Sequence, residues 1–247
     1  MGEAINRLDV WTVRVDRLSE PDVAPLRAIL DEAERARADR FRFESNRVQY
    51  IAAHALARRA LGRALAVEPK SIRFVETANG KPEAWLDGQP APVSFNLSHT
   101  KGAVGVAVIA RAGMTVGFDI ELIDRTVDLA IADRYFRPEE IAWIASLEAS
   151  LRPSGFLRLW TLKEALMKAT GEGLLRDLDS FWFEVFPPRL HFVDPAGVAA
   201  DGWQFEQHLV EGDFIAAAGL RSADGSLCPQ CWRAVDPAGL LSFSPGW

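Results

Sequence analysis

The sequence predicts an α+β fold organised in two halves, and three observations lead to that expectation. Two long segments repeat apolar residues at helical spacing. Each is followed by short runs of strand-forming residues. A glycine-bearing break, Arg111-Ala112-Gly113, falls between the two sets. At 247 residues the chain is long enough to bury a substantial core in either one domain or two.

In the first half, Asp31 to Arg42 is rich in Glu, Ala and Arg and reads as helix. A longer helix is expected from Asn46 to Ala66, where Tyr50, Leu56, Ala57, Ala60, Leu61 and Leu65 fall at helical spacing, and Pro69 stops it. Ser71–Glu76 reads as a strand. The dipeptide Asn79-Gly80 then marks a turn into a second extended segment that starts at Lys81-Pro82. Val93–Asn96 is expected as a short strand that ends in the polar corner Asn96-Leu97-Ser98-His99. Ala103–Ile109 is almost wholly apolar and valine-rich, the pattern of a buried strand.

In the second half, a strand is expected over Thr115–Leu122 and helices over Pro138–Leu147 and Phe156–Thr170, the latter closed by the glycine-rich cap Gly171-Glu172-Gly173-Leu174. Further strands are expected over Phe181–Phe186 and Phe214–Leu220. The domain expectation is therefore residues 1–112 and 113–247.

Composition narrows the class. Apolar residues make up 49% of the chain and charged residues 25%, as in a globular protein. No signal peptide is recognised, and no stretch approaches the ~18 consecutive apolar residues of a membrane span. The expected location is cytoplasmic, without membrane association. The net charge of −6 argues against a nucleic-acid partner, since phosphate binding usually leaves a basic excess. That charge is uneven. Arg35, Arg37, Arg40, Arg42, Arg47, Arg58, Arg59 and Arg63 cluster against Asp39 and Glu44. Such a cluster is either a solvated helix face or a local site for phosphate or an acidic partner. Cys228 and Cys231 lack the second ligand pair of a zinc site and read as ordinary thiols.

The segment Val116-Gly117-Phe118-Asp119-Ile120-Glu121-Leu122 carries the first candidate chemistry. On a strand, side chains alternate between faces. Val116, Phe118, Ile120 and Leu122 then form an apolar face, and Gly117, Asp119 and Glu121 share the other. Two carboxylates at i and i+2 lie about 7 Å apart or less and repel, so both ionise readily only beside water or a shared cation. Gly117 is expected to leave open space there for a ligand near the backbone. The alternative is an amphipathic strand with a solvated outer face.

The second candidate is Trp160-Thr161-Leu162-Lys163-Glu164-Ala165-Leu166-Met167-Lys168. Leu159, Leu162, Leu166 and Ala169 form its apolar stripe, while Trp160, Glu164 and Lys168 lie together on another side. Glu164 and Lys168 are then either an exposed ion pair or a third metal-directed carboxylate beside a phosphate-binding cation.

Four stretches in order, Gly80-Lys81-Pro82, Phe95-Asn96-Leu97-Ser98-His99, Gly117-Phe118-Asp119-Ile120-Glu121 and Trp160-Thr161-Leu162-Lys163-Glu164-Ala165 with Lys168, resemble the Sfp-type 4′-phosphopantetheinyl transferases. The resemblance spans roughly residues 79 to 174, with a looser match upstream through Arg40-Phe41 and the Tyr50–Arg58 helix. It implies two similar α+β halves related by a pseudo-twofold, with coenzyme A in the cleft between them. It also implies Mg²⁺ held by Asp119, Glu121 and Glu164, with Glu164 and Lys168 catalytic. Lys168 would contact the pyrophosphate, and Lys81, Ser98 and His99 would hold the 3′-phosphate end. Arg40 and Arg47 are further coenzyme A candidates, joined by Arg37 and Lys163, and Glu140 is a further acid for the metal site. Residues after about Glu184 match only in general character.

The activity so implied transfers the 4′-phosphopantetheine arm of coenzyme A to a serine of an apo acyl or peptidyl carrier protein, releasing 3′,5′-ADP. The partners are coenzyme A and the carrier, and the chain is expected to act as a monomer. The Trp-x-x-Lys-Glu-Ala form leans towards secondary metabolite biosynthesis. Two other readings use the same residues: a Mg²⁺-dependent hydrolase of nucleotide pyrophosphates, and a non-catalytic module that binds coenzyme A or carriers.

Overall fold

The structure, a computed structural model, describes residues 7–77, 80–171, 177–193, 202–222, 224–226 and 228–242. Asn79 of the expected turn, and Glu172, Gly173 and Leu174 of the expected cap, lie outside them. The chain forms two compact units. One comprises Met1–Met114 with Cys228–Trp247, the other Thr115–Leu227.

The first unit opens with strand β1 (Leu8–Arg14) and helices α1 (Glu20–Arg27), α2 (Glu32–Ala38) and α3 (Glu44–Leu65). Strands β2 (Arg73–Glu76), β3 (Pro82–Leu86), β4 (Gln89–Pro90), β5 (Ser94–Thr100) and β6 (Ala103–Ile109) follow. Asp31 starts α2 with a capping box, in which its carboxylate accepts from Glu34 N while Glu34 accepts from Asp31 N. Ala66, in the left-handed region, ends α3 just before Pro69. Ile51, Leu56 and Leu61 of α3 pack on Phe95, Val104, Val106 and Val108 of β5 and β6, which explains the unbroken valine run of β6.

β5 runs further than expected. Asn96, Leu97, Ser98 and His99 are strand residues, paired with Ala107, Val106, Gly105 and Val104 of β6, and not a corner. The β6 backbone offers partners along the whole segment, and this outweighs the polar composition that suggested a strand end. Arg58, one of the clustered arginines, is 0% exposed. It bonds the carboxylates of Glu34 (2.7 Å) and Asp31 (2.8 Å) and the carbonyls of Ile72 (2.6 Å) and Pro69 (3.1 Å). A buried guanidinium is tolerable only with such complete pairing.

The second unit contains strand β7 (Met114–Leu122), helices α4 (Ala130–Tyr135), α5 (Pro138–Ser146) and α6 (Arg152–Thr170), and strands β8 (Phe181–Val185), β9 (Pro188–Phe192), β10 (Trp203–Val210) and β11 (Phe214–Ser222). Its sheet has the order β10-β11-β7, and β8 and β9 form a hairpin. Phe156, Leu159, Leu162 and Leu166 of α6 share a core with Phe181, Phe183, Ile215 and Ala217. Gly171, at φ 73°, caps α6 as its lack of a Cβ allows.

The chain then returns to the first unit. Strand β12 (Gln230–Val235) pairs in parallel with β1, giving the sheet order β12-β1-β6-β5, and Leu240 of helix α7 (Pro237–Ser242) is buried in the first core. The compact units thus differ from the expected division at residues 228–242. Parallel pairing across two hundred residues leaves no local pattern in the sequence. Each unit sets one long helix on a sheet, and the class is α+β. Among the described residues no helix is long and apolar enough to cross a membrane.

Candidate active site

In the second unit, β7 places Asp119 and Glu121 on one face, as the alternation requires, but that face is not solvated. Asp119 is 4% exposed and Glu121 9%. Gly117, on the same face, does not border open space either. A Cβ there would lie 1.8 Å from the carbonyl oxygen of Ala165 and 2.5 Å from the amide nitrogen of Ala169. The missing side chain is therefore filled by the backbone of α6 itself. This close approach brings the next residues of β7 beside Glu164 and Lys168, one helical turn apart on α6.

Lys168 Nζ donates to Asp119 Oδ1 at 2.6 Å. Arg125, four residues beyond Glu121, pairs with its carboxylate. Glu164 is half-buried, and burial pushes its carboxyl above the usual range. Lys168 opposes that shift, Asp119 and Glu121 add to it, and Arg125 opposes it. Three carboxylates and two cations therefore act in one local field.

A divalent ion would suit this donor set. The carboxylates are hard oxygen donors, they repel one another, and hard oxygen ligation is what Mg²⁺ takes. In this structure Lys168 and Arg125 supply the opposite charge to Asp119 and Glu121. Among the described residues no three His, Cys, Asp or Glu side chains are drawn as close as they would be around an ion.

Glu140 and Lys163, the weaker site candidates, form a separate buried pair. Both side chains are 0% exposed, with Lys163 Nζ 2.8 Å from Glu140 Oε2. Lys163 also donates to the carbonyls of Leu178 and Phe181, and Glu140 accepts from the amides of Arg137 and Phe183. Their bonds tie α5, α6 and β8 together, and neither group is presented to a ligand.

In the first unit a cleft of about 680 Å³ is lined by Arg37, Phe41, Tyr50, His54, Gly80 and His99, among others. Among the described residues no acidic side chain lines it. Arg37 stands over the Tyr50 ring at 5.6 Å, Tyr50 stacks on His54 at 4.0 Å, and Phe41 flanks Tyr50 at 5.3 Å. Burial pushes the Tyr50 hydroxyl up to about 12, so it stays neutral. Gln49 Nε2 donates to His99 Nδ1 at 2.8 Å.

The sequence candidates divide around this cleft. His99 lines it, while Ser98, its neighbour on β5, is buried and alternates to the other face. Lys81 lies between the lining residues Gly80 and Pro82, half-buried, and burial lowers its ammonium to about 8. Arg37 lines the cleft, whereas Arg40 does not and is exposed. Arg47 is held by both oxygens of Glu44, at 2.8 and 2.6 Å. Tyr50 read as a core position, and His54 gave no signal by itself. The i, i+4, i+8 series Tyr50, His54, Arg58 could have marked that face of α3.

Comparison with known proteins follows the same partition. The profile of the 4′-phosphopantetheinyl transferase superfamily matches residues 115–218, and that of the 4′-phosphopantetheinyl transferase N-terminal region matches residues 19–111. The 4′-phosphopantetheinyl transferase HetI of Nostoc sp. is 30% identical over 217 residues, 87% of this chain and 88% of HetI. The chain belongs to the Sfp-type 4′-phosphopantetheinyl transferases. Other relatives are psf-1 of Bacillus pumilus, 34% identical over 67% of this chain and 68% of its own length, and Sfp of Bacillus subtilis, 26% identical over 70% and 75%. Both carry the name 4′-phosphopantetheinyl transferase, and this phosphopantetheinyl transferase is accordingly an enzyme of that class. The two profiles end and begin on either side of Met114, where the compact units divide.

Proposed function

We propose that the enzyme transfers the 4′-phosphopantetheine arm of coenzyme A to a carrier-protein serine in a Mg²⁺-dependent reaction, with Asp119, Glu121 and Glu164 holding the ion. The observation that carries this reading is the convergence of two buried carboxylates of β7 with Glu164 and Lys168 of α6 in one field. The bound ion would neutralise the pyrophosphate and the charge that develops on the departing 3′,5′-ADP.

The chain's own groups do the rest. The serine oxygen forms its bond to the β-phosphorus of coenzyme A as the bridging bond to 3′,5′-ADP breaks. Glu164 would accept the serine proton, directly or through a water, on a carboxylate oxygen not engaged by the ion. Lys168, paired with Asp119 in this structure, would serve as a fixed cation for the pyrophosphate where Asp119 holds an ion. The cleft of the first unit takes the nucleotide end, with Lys81, His99 and Arg37 towards its 3′-phosphate. Arg37 replaces Arg40 and Arg47 in that role, because it alone of the three lines the cleft. Ser98 supports the site from the opposite face of β5.

The partner is an apo acyl or peptidyl carrier protein, with carriers of secondary metabolism as the leading class. Incubation with coenzyme A, Mg²⁺ and a panel of apo carriers, followed by intact mass measurement, tests this. One added phosphopantetheine on a carrier is the expected result. Its absence across the panel, or coenzyme A cleavage without any carrier, would reject the transferase reading.

A further inference from the structure

The motif Cys228-Pro229-Gln230-Cys231 takes no part in the reaction above and sits where β12 begins. Neither cysteine forms a disulfide, and the local geometry explains why. Cys228 precedes a proline, which holds its backbone extended. The Pro229 carbonyl accepts from the Leu8 amide at 3.0 Å, and Gln230 and Cys231 run in register with Leu8 and Asp9 of β1. Three residues along such a backbone set the two Cα atoms about 10 Å apart and send their side chains to opposite sides. A disulfide spans only about 4.4–6.8 Å between Cα atoms. Cys228 is buried, with Arg111 donating to its Sγ at 3.9 Å, whereas Cys231 is partly exposed.

The same four residues carry a contrary local preference. Proline is pre-set for the second position of a β-turn, and here it stands there with a cysteine at each end of the turn. A β-turn brings its first and fourth Cα atoms within about 7 Å, which a disulfide can bridge. The segment therefore has two arrangements that exclude each other. In one its backbone completes the ladder with β1; in the other it closes into a bridged turn. The second takes the acceptor from the Leu8 amide, breaks the register at Gln230 and Cys231, and draws Cys228 out of its buried position.

We propose that Cys228 and Cys231 form a reversible redox switch, in which a peroxide closes a disulfide between them and releases the start of β12 from β1. The partly exposed Cys231 thiol reacts first, giving a sulfenic acid and one water. The Cys228 thiol then attacks that sulfur, forming the S–S bond and releasing a second water. Two thiols and one hydrogen peroxide thus give one disulfide and two waters. The attack requires the first residues of β12 to leave β1, and the bridge then keeps them off it. A thiol reductant reverses the change. The affected sheet, β12-β1-β6-β5, carries His99 of the cleft on its last strand, so oxidation loosens the framework of that cleft.

The chain has two cysteines, so an intramolecular bridge can only join these. Full-length enzyme treated with hydrogen peroxide is expected to lose two hydrogens by intact mass and to resist thiol alkylation. Its melting temperature should fall by about 3 °C or more, and dithiothreitol should restore both properties. The direction is decisive, because a bridge that suited the native strand would only constrain the unfolded chain and raise the melting temperature. Amide hydrogen exchange at Leu8 should quicken about tenfold or more in the oxidised protein, while β10 and β11 keep their rates. Cys231→Ser should hold wild-type stability and lose the response to peroxide. If that variant does not fold, the mass, melting and exchange of the wild type still decide. Thiols that stay unmodified, a gain of oxygen without a bridge, a covalent dimer, or a melting temperature that holds or rises on bridging would each overturn the inference. None of these measurements involves coenzyme A or a carrier, so they leave the transferase reading untouched.

Discussion

Lys168 and Asp119 meet across 2.6 Å, from a helix and a strand separated by nearly fifty residues of sequence. The contact is possible because Gly117 lets the α6 backbone settle on β7. Four consequences of this architecture can be measured.

Gly117→Ala is expected to destabilise the protein by about 3 kcal/mol, since the added methyl meets backbone atoms that no rotamer change can move. Urea denaturation gives the value. Stability and transfer should fall together, because α6 must shift away from Asp119. A variant of wild-type stability would mean that the strand and helix do not approach this closely.

Asp119→Ala should abolish transfer while the fold survives, as circular dichroism would show. Binding of Mn²⁺, followed by electron paramagnetic resonance, should weaken at least tenfold in the same variant. Lys168→Met removes a partly exposed counter-cation from the acid cluster. It should cost the metal-free protein about 1 kcal/mol, a loss that divalent ions reduce. Unchanged Mn²⁺ affinity in Asp119→Ala would reject the ligand assignment.

Lys163→Ala leaves Glu140 buried beside an empty space, with a predicted cost of 3–5 kcal/mol and a melting temperature lower by several degrees. Burial pushes Glu140 up and Lys163 down, each opposed by the other's charge, so removing both charges should hurt less than removing one. Lys163→Met with Glu140→Gln is therefore expected to be more stable than Lys163→Ala. A double variant as unstable as the single one would show that the amide bonds to Glu140, and not the ion pair, dominate.

Lys81 gives a signature in alkaline solution. Burial lowers its folded-state value to about 8, whereas the unfolded chain keeps the ordinary value of 10.5. Between those limits the unfolded state binds more protons, so stability attributable to this residue rises from about pH 8 to 10.5. Below pH 8 the buried charge is a cost, and Lys81→Met should be the more stable protein at pH 7. Coenzyme A affinity should move the other way in the wild type, falling above pH 8 as the charge is lost. A flat difference between the two proteins from pH 7 to 10 would contradict this.

Much of the second unit was legible in the sequence. Alternation alone placed Val116, Phe118 and Ile120 in the core and Asp119 with Glu121 on the opposite face, and the stripe of α6 was read correctly. What alternation could not supply was the neighbour of the polar face. Gly117 looked like room for a ligand and proved to be room for a helix, a contact between segments far apart in sequence. The first unit was harder. Arg58 and Glu34 look like surface charges until the fold pairs them, and Asn96 to His99 looks like a loop until β6 lies alongside. The arginines show the same limit. Arg37, Arg40 and Arg47 are indistinguishable by composition, and the cleft separates them only through the turn of α2 and the Glu44 carboxylate.

The parallel pairing of β12 with β1 also bears on how the polypeptide matures. During synthesis from the N-terminus, β1 emerges first and β12 only after the whole second unit has been made. Until then β1 is an open sheet edge, and the core beneath it lacks Leu240. The first unit therefore cannot complete its sheet until β12 is available, whereas the strands of the second unit all lie between residues 114 and 222. A chain cut short before residue 228 should therefore expose a sticky strand to chaperones or to another copy, and supplying residues 228–242 would close it.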